Sequence, residues 1–304
     1  MAEGHTHESG QMTGKKFFAV TVLNVAITVA EFVGGILSGS LSLISDAFHN
    51  LGDSLSIVFS YVANVLSTKR QDARNTYGYK RAQIITAFLN SIALVIICAF
   101  LVIEAVQRLS HPEPINGPLM LAVAVIGLVA NGVSAYLLNR GSKNNLNMKA
   151  TYLHIMSDAL SSVAIIIGGV LIELFNWTLV DPIVTILVAV YIAYESLPII
   201  RQTNGILMEG APAIDYRGIK RDLMQIDGVL NVHHVHAWQI DENNIVFSAH
   251  VNLYDMKISE AEPIYSEIDR ILKKKYHVCH STIQAEAQRG KDEDIIYDQG
   301  EDIG

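Results

Sequence analysis

The chain has 304 residues, of which 50% are hydrophobic and 17% charged, with a formal net charge of −8 and a mean hydropathy of +0.30. That balance excludes a disordered chain and an ordinary water-soluble domain, and no nucleic-acid partner is expected. The two cysteines, Cys98 and Cys279, cannot build a disulfide framework and match no paired-thiolate metal motif.

In chain order, the polar stretch 1–14 reads as a flexible N-terminus, and the apolar run after it is too long for a cleavable signal peptide. Six hydrophobic helices are predicted at 17–38, 41–66, 82–108, 116–139, 147–175 and 179–200. The stretch 82–103 holds no charged residue, and at ~1.5 Å per residue it crosses the roughly 30 Å hydrocarbon core of a bilayer. Six spans within a 15–204 membrane domain leave both termini on one side. Lys15 and Lys16, then Lys69, Arg70, Arg74, Lys80 and Arg81, then Arg140, Lys143 and Lys149 all fall on the side of the termini, whereas the opposite loops carry Arg108 alone. The excess of cations places both termini in the cytoplasm.

After Arg201 the sequence turns polar and mixed, and Ala211-Pro212 marks entry into a soluble cytoplasmic domain, taken as 205–290. Helices are expected at 216–225 and 260–275, and strands at 229–240, 245–253 and 278–286 from β-branched content and alternation. The order is helix, strand, strand, helix, strand, with a hairpin turn at Asp241-Glu242-Asn243-Asn244. The stretch 291–304 sets Asp292, Glu293, Asp294, Asp298, Glu301 and Asp302 against Lys291 and reads as an acidic disordered tail.

Ionisable residues inside membrane spans point to function, because a carboxylate at mid-bilayer needs a partner or water. The second span carries His49-Asn50-Leu51-Gly52-Asp53 and the fifth carries His154-Ile155-Met156-Ser157-Asp158, so each places an imidazole and a carboxylate one turn apart on one face. Packed antiparallel, the two spans set His49 opposite Asp158 and Asp53 opposite His154. Two neutral imidazole nitrogens and two carboxylate oxygens suit a tetrahedral Zn²⁺ site, whereas Ca²⁺ and Mg²⁺ favour six or more oxygens or retained water. Other divalent transition metals fit the same donors. The plainer reading is a pair of interhelical hydrogen bonds. Asp46, one turn before His49, reads either as an aid to ion release or as a carboxylate favoured by the helix dipole. Asn24 and Glu31, seven apart on the first span, read as a polar path or as hydrogen bonds between helices.

On the segment Ser40-Leu41-Ser42-Leu43-Ile44-Ser45-Asp46-Ala47-Phe48-His49-Asn50-Leu51-Gly52-Asp53, the 154–158 motif, the six spans and Val232-His233-His234-Val235-His236-Ala237-Trp238, the sequence resembles the cation diffusion facilitator family of divalent-metal transporters. The paired His-x-x-x-Asp pattern is similar to the zinc-transporting branch. That resemblance implies a transporter, not an enzyme, that exports Zn²⁺ in exchange for protons through His49, Asp53, His154 and Asp158. It also implies a homodimer and a ferredoxin-like αββαβ cytoplasmic domain that holds a structural or regulatory ion. There His236, His250 and Glu286 look like the family's cytoplasmic ligands, with His280 a further candidate, while His233, His234 and His277 read as plain surface residues. The short 141–146 connection lacks a histidine-rich insertion, which points to a prokaryotic member in the bacterial inner membrane. Two other readings are a membrane metal sensor and an intramembrane zinc hydrolase. The first leaves the membrane pairs unexplained, and the second lacks a His-Glu-x-x-His signature and an open coordination position.

Overall fold

The computed structural model describes residues 7–67, 69, 71–142 and 146–295, with the side chains of 7–21, 137–154 and a few positions between 56 and 64 outside that description. Six long helices, α1 (His7–Ser38), α2 (Leu41–Ser67), α3 (Arg81–Ser110), α4 (Gly117–Ser142), α5 (Leu146–Phe175) and α6 (Val180–Leu207), precede a smaller set of elements. These are α7 (Tyr216–Leu223), β1 (Val229–Gln239), β2 (Ile245–Leu253), α8 (Ile258–Tyr276) and β3 (Val278–Glu286). The described residues up to Tyr61 and Ala87–Ile200 form one compact unit; Val62–Thr86 and the described residues from Arg201 form another. Helix α1 starts ten residues before the expected span, within the stretch expected to be a flexible N-terminus. Residues 1–6 and 296–304, within the expected flexible terminus and acidic tail, lie outside the described residues.

Among the described residues, four segments are long and apolar enough to cross a membrane: Arg81–Ser110, Gly117–Tyr136, Ile155–Phe175 and Val180–Leu207; Val22–Ser38 is a shorter apolar one. The first unit is apolar outside and polar within. Phe100, Leu174 and Leu187 are 67%, 70% and 65% exposed, whereas Glu31, Asp46, Asn50, Asp158 and Asp181 are each 2% exposed or less. Water would expel such a surface and lipid accepts it. The chain is an integral membrane protein. Leu43, Met120, Ala124, Ile165 and Ile172 knit α2, α4 and α5 into one apolar cluster.

The turn between α1 and α2 is held from two directions. Gly39, at φ +73°, takes the left-handed conformation that glycine tolerates, and its carbonyl accepts from Arg108 Nη1 at 2.6 Å. Asp181, in the first turn of α6, accepts from the Leu41 and Ser42 amides at 2.8 and 3.2 Å and from the Ser40 and Ser42 hydroxyls at 2.6 Å each. A carboxylate from another helix thus caps the N-terminus of α2.

The second unit contains a mixed sheet of order β1-β2-β3, with β1 and β2 antiparallel and β2 and β3 parallel. Helix α8 supplies the crossover that parallel strands require. Phe247, Ala249 and Val251 alternate along β2 into a core shared with Ile219 and Leu223 of α7 and Ile268 and Leu272 of α8. Asp215 caps α7 by accepting from the Gly218 amide at 2.8 Å. Asp241 closes the hairpin, accepting from the amides of Asn243 and Asn244 at 2.9 and 2.8 Å. The stretch expected as a tail from 291 onward begins differently, because Ile295 is 6% exposed within the core and its carbonyl accepts from the Val235 amide at 2.9 Å. One buried isoleucine and the sheet edge hold 291–295 despite its acidic composition.

Candidate metal sites

Helices α2 and α5 carry the first cluster. His49 Nε2 lies 3.8 Å from Asp53 Oδ2 on its own helix and 3.5 Å from Asp158 Oδ1 across the interface. These three residues can each offer one ligand atom within 4.8 Å of the others. A tetrahedral Zn²⁺ with bonds of about 2.0–2.1 Å sets its ligand atoms about 3.3 Å apart, so small side-chain adjustments suffice. His49 and Asp158 are 8% and 2% exposed, and Asp158 Oδ1 accepts no hydrogen bond among the described residues. His154 belongs to α5, but its side chain lies outside the described residues.

The register is antiparallel. Asp46, three residues before His49, accepts a hydrogen bond from Ser161, three residues after Asp158. His154 lies one turn before Asp158 on α5, as Asp53 lies one turn after His49 on α2. Helix α1 supports this neighbourhood, with Asn50 Nδ2 donating to Glu31 Oε2 at 2.8 Å and Asn24 Nδ2 to Ser54 Oγ at 3.5 Å. Of the two roles weighed for Asn24 and Glu31, the interhelical hydrogen bond is the one found. A Cβ at Gly127 would meet Glu31 Oε1 at 2.7 Å, so the glycine makes room for that carboxylate.

The second cluster lies on the sheet face opposite α7 and α8. His233 Nε2 is 3.3 Å from Glu286 Oε2, and His250 Nδ1 is 3.2 Å from Glu286 Oε1. One ligand atom from each of the three residues lies within 4.8 Å of the others, so small side-chain adjustments bring them to the spacing of a tetrahedral zinc site. Glu286 is 6% exposed at its side chain, and its Oε2 accepts no hydrogen bond among the described residues, so the donor set fits a divalent cation.

This grouping differs from the histidines singled out from the sequence. His250 and Glu286 meet, but His236 and His280 are exposed and outside the cluster, His236 beside His234 and His280 with its ring 6.0 Å from that of Tyr77. His233, read as a surface residue, is 1% exposed and takes the place given to His236. The cause is a bulge. Counted back from the hairpin, an unbroken register sets His234 opposite His250; one extra residue between His233 and His236 moves His233 into that position. His234 absorbs the irregularity at φ +48° and stacks on His250 with ring centroids 4.5 Å apart. The hairpin length and the Val232/Val251 core pairing limit the choice to His233 or His234, but no residue pattern announces the bulge.

The comparisons with known proteins agree with this architecture. The cation efflux transmembrane domain matches residues 17–208, and the cation efflux protein cytoplasmic domain matches 211–288. The chain is 36% identical over 303 residues to a protein of Pectobacterium atrosepticum named zinc transporter ZitB, covering 98% of this chain and 93% of that one. It is 35% identical to a Bacillus subtilis protein named cadmium, cobalt and zinc/H⁺-K⁺ antiporter, over 96% and 95% of the two chains. It is 36% identical to the zinc transporter ZitB of Escherichia coli, over 95% and 93%. A set of buried carboxylates and the His49 imidazole among membrane helices, followed by a mixed-sheet domain and matched along nearly its whole length, places this chain in the cation efflux, or cation diffusion facilitator, family of metal transporters.

Proposed function

We propose that the protein exports Zn²⁺ from the cytoplasm in exchange for protons, as a secondary active transporter with its ion site between α2 and α5. The observation that carries this reading is the convergence of His49, Asp53 and Asp158 between α2 and α5, and the antiparallel pairing of these helices supports His154 as the fourth member of a His₂Asp₂ set. The names of the relatives supply zinc and proton exchange as the chemistry to test. Metal and proton compete for the same atoms, because zinc needs neutral imidazole and ionised carboxylate. An acidic exterior then favours release by protonation, and the neutral cytoplasm favours loading. Rocking of the helix bundle about the central site exposes it to each side in turn.

In the same reading all six long helices span the bacterial inner membrane with both termini cytoplasmic. The membrane domain is assigned to 15–204 and the cytoplasmic domain to 205–290. The αββαβ order and the packing of both helices on one sheet face support a ferredoxin-like assignment for the latter, and its family match supports a homodimer. We assign His233, His250 and Glu286 as a cytoplasmic divalent-metal site; a bound ion there would tie β1, β2 and β3 together. Zinc flux into sealed inside-out vesicles under an imposed pH gradient tests the transport reading. Flux should vanish in Asp53→Ala and in Asp158→Ala, and fall when the gradient is collapsed. Wild-type flux in both variants would overturn the intramembrane site.

A further inference from the structure

Beyond β3 the chain turns back across the sheet face that carries His233 and His250. Asn252 Nδ2 on β2 donates to the Arg289 carbonyl at 2.8 Å. Asn231 Nδ2 on β1 lies within 3.0–3.3 Å of the carbonyls of Gly290, Lys291 and Glu293. The Val235 amide, within the bulge, donates to the Ile295 carbonyl at 2.9 Å, with Ile295 buried. Two nearly buried asparagines and a backbone amide thus anchor a strap of residues 289–295.

The strap is seated directly over the histidines. A Cβ at Gly290, which has φ +65°, would collide with the His233 imidazole, so only glycine lets the backbone pass so close. Glu293 directs its Oε2 to 3.9 Å from His233 Nε2, beside Glu286, the carboxylate already there. Its side chain is 46% exposed, in contrast with 6% for Glu286. Two carboxylates gathered at one imidazole repel each other unless a cation lies between them. Three ligand atoms from the sheet leave a tetrahedral ion one position short.

We propose that residues 289–295 form a metal-responsive clasp, in which Glu293 supplies the fourth ligand to a divalent transition-metal ion held by His233, His250 and Glu286. This rests on the cytoplasmic-site reading given above. Binding of the ion and closure of the strap then stabilise each other reciprocally, so the clasp reports cytoplasmic metal through the order of the chain end. Opening of the strap frees the Val235 amide and the edge of β1; closure covers both.

The test uses full-length protein carrying Asp53→Ala and Asp158→Ala, so that zinc uptake reports the cytoplasmic cluster, with and without Glu293→Gln. Bound zinc is counted while hydrogen exchange is followed at Val235 and across 289–295. Zinc should slow that exchange by about tenfold or more. Glu293→Gln should weaken zinc binding by at least about 10-fold and remove most of the protection, and Glu293→Asp should recover part of both. Zinc bound with equal affinity and equal protection in Glu293→Gln, or bound without slowing exchange, overturns the clasp while leaving the site. A parent protein that binds no zinc sensitive to His250→Ala overturns the site and the clasp together. Because Glu293 is half-exposed, its substitution leaves the core intact, which circular dichroism checks.

Discussion

Asp158 is a carboxylate sealed at 2% exposure inside a membrane unit, with one oxygen that accepts no hydrogen bond among the described residues. A charge so placed is stabilised by a cation or removed by a proton. Asp158→Asn keeps the shape and removes the charge. Because Asp158 is the carboxylate 3.5 Å from buried His49, we expect zinc-free stability to fall by up to about 3–5 kcal/mol, the cost of breaking a buried pair from one side. In a His250→Ala background, where the cytoplasmic cluster is disabled, it should also abolish zinc-induced stabilisation, worth about 2.7 kcal/mol at 100 times Kd. Thermal melts of the purified protein with and without zinc check both. A large zinc shift in the variant in that background would sink the role given to Asp158. Asn50, with 0% exposure, holds Glu31 through one hydrogen bond. Asn50→Ala strands that carboxyl and should cost about 1–3 kcal/mol, measured by the same melts. The paired histidines and aspartates were legible as residues because ionisable groups are costly in lipid. The partner of Glu31 was not, because a helical period gives the face of a residue and not the helix it meets.

At the scale of elements, the N-terminus of α2 is capped by Asp181, which stands 140 residues away in sequence from Leu41. Asp181→Ala removes acceptors from two amides and two hydroxyls and should cost at least about 2 kcal/mol. A loss of thermal stability in Asp181→Asn, which keeps the shape and removes the charge, would show that charge contributes beyond shape. In the cytoplasmic unit, the Lys275 ammonium foremost, and then the Tyr276 hydroxyl, hold the Asp222 carboxyl below its ordinary value, tying α7 to α8. A carboxylate depressed on folding adds stability above its unfolded pKa of about 3.9 and loses it as the pH falls through the lower folded value. The stability difference between the protein and Asp222→Asn should therefore be full at pH 7 and shrink below about pH 4. A difference independent of pH would remove the ion pair as its cause. Strand alternation placed the three strands, whereas the bulge that exchanges His234 for His233 opposite His250 leaves no compositional trace.

Across the whole molecule, polarity is reversed between the two units. The membrane unit presents Phe100 and Leu187 outward and encloses Asp158, while the mixed-sheet domain of the other buries Phe247, Ile268 and Leu272. Bilayer and water each select one arrangement. The proposed topology predicts that epitope tags at both ends are digested by protease in inside-out vesicles and protected in intact spheroplasts. A tag at one end with the opposite behaviour would require an odd number of spans. Both ends together on the outside would contradict the distribution of Lys and Arg.

Composition and periodicity alone determined that this is a membrane protein with a terminal α+β domain, and they singled out the residues too polar for lipid. Those properties follow from local transfer energies, which each residue carries wherever it lies. Tertiary structure decided which of those residues meet: the antiparallel register that brings Asp158 to His49, the bulge that sets His233 rather than His234 opposite His250, and the return of an acidic chain end over the sheet. Each depends on where a distant segment comes to rest. Three-dimensional packing fixes that position, and the sequence around any one residue does not encode it.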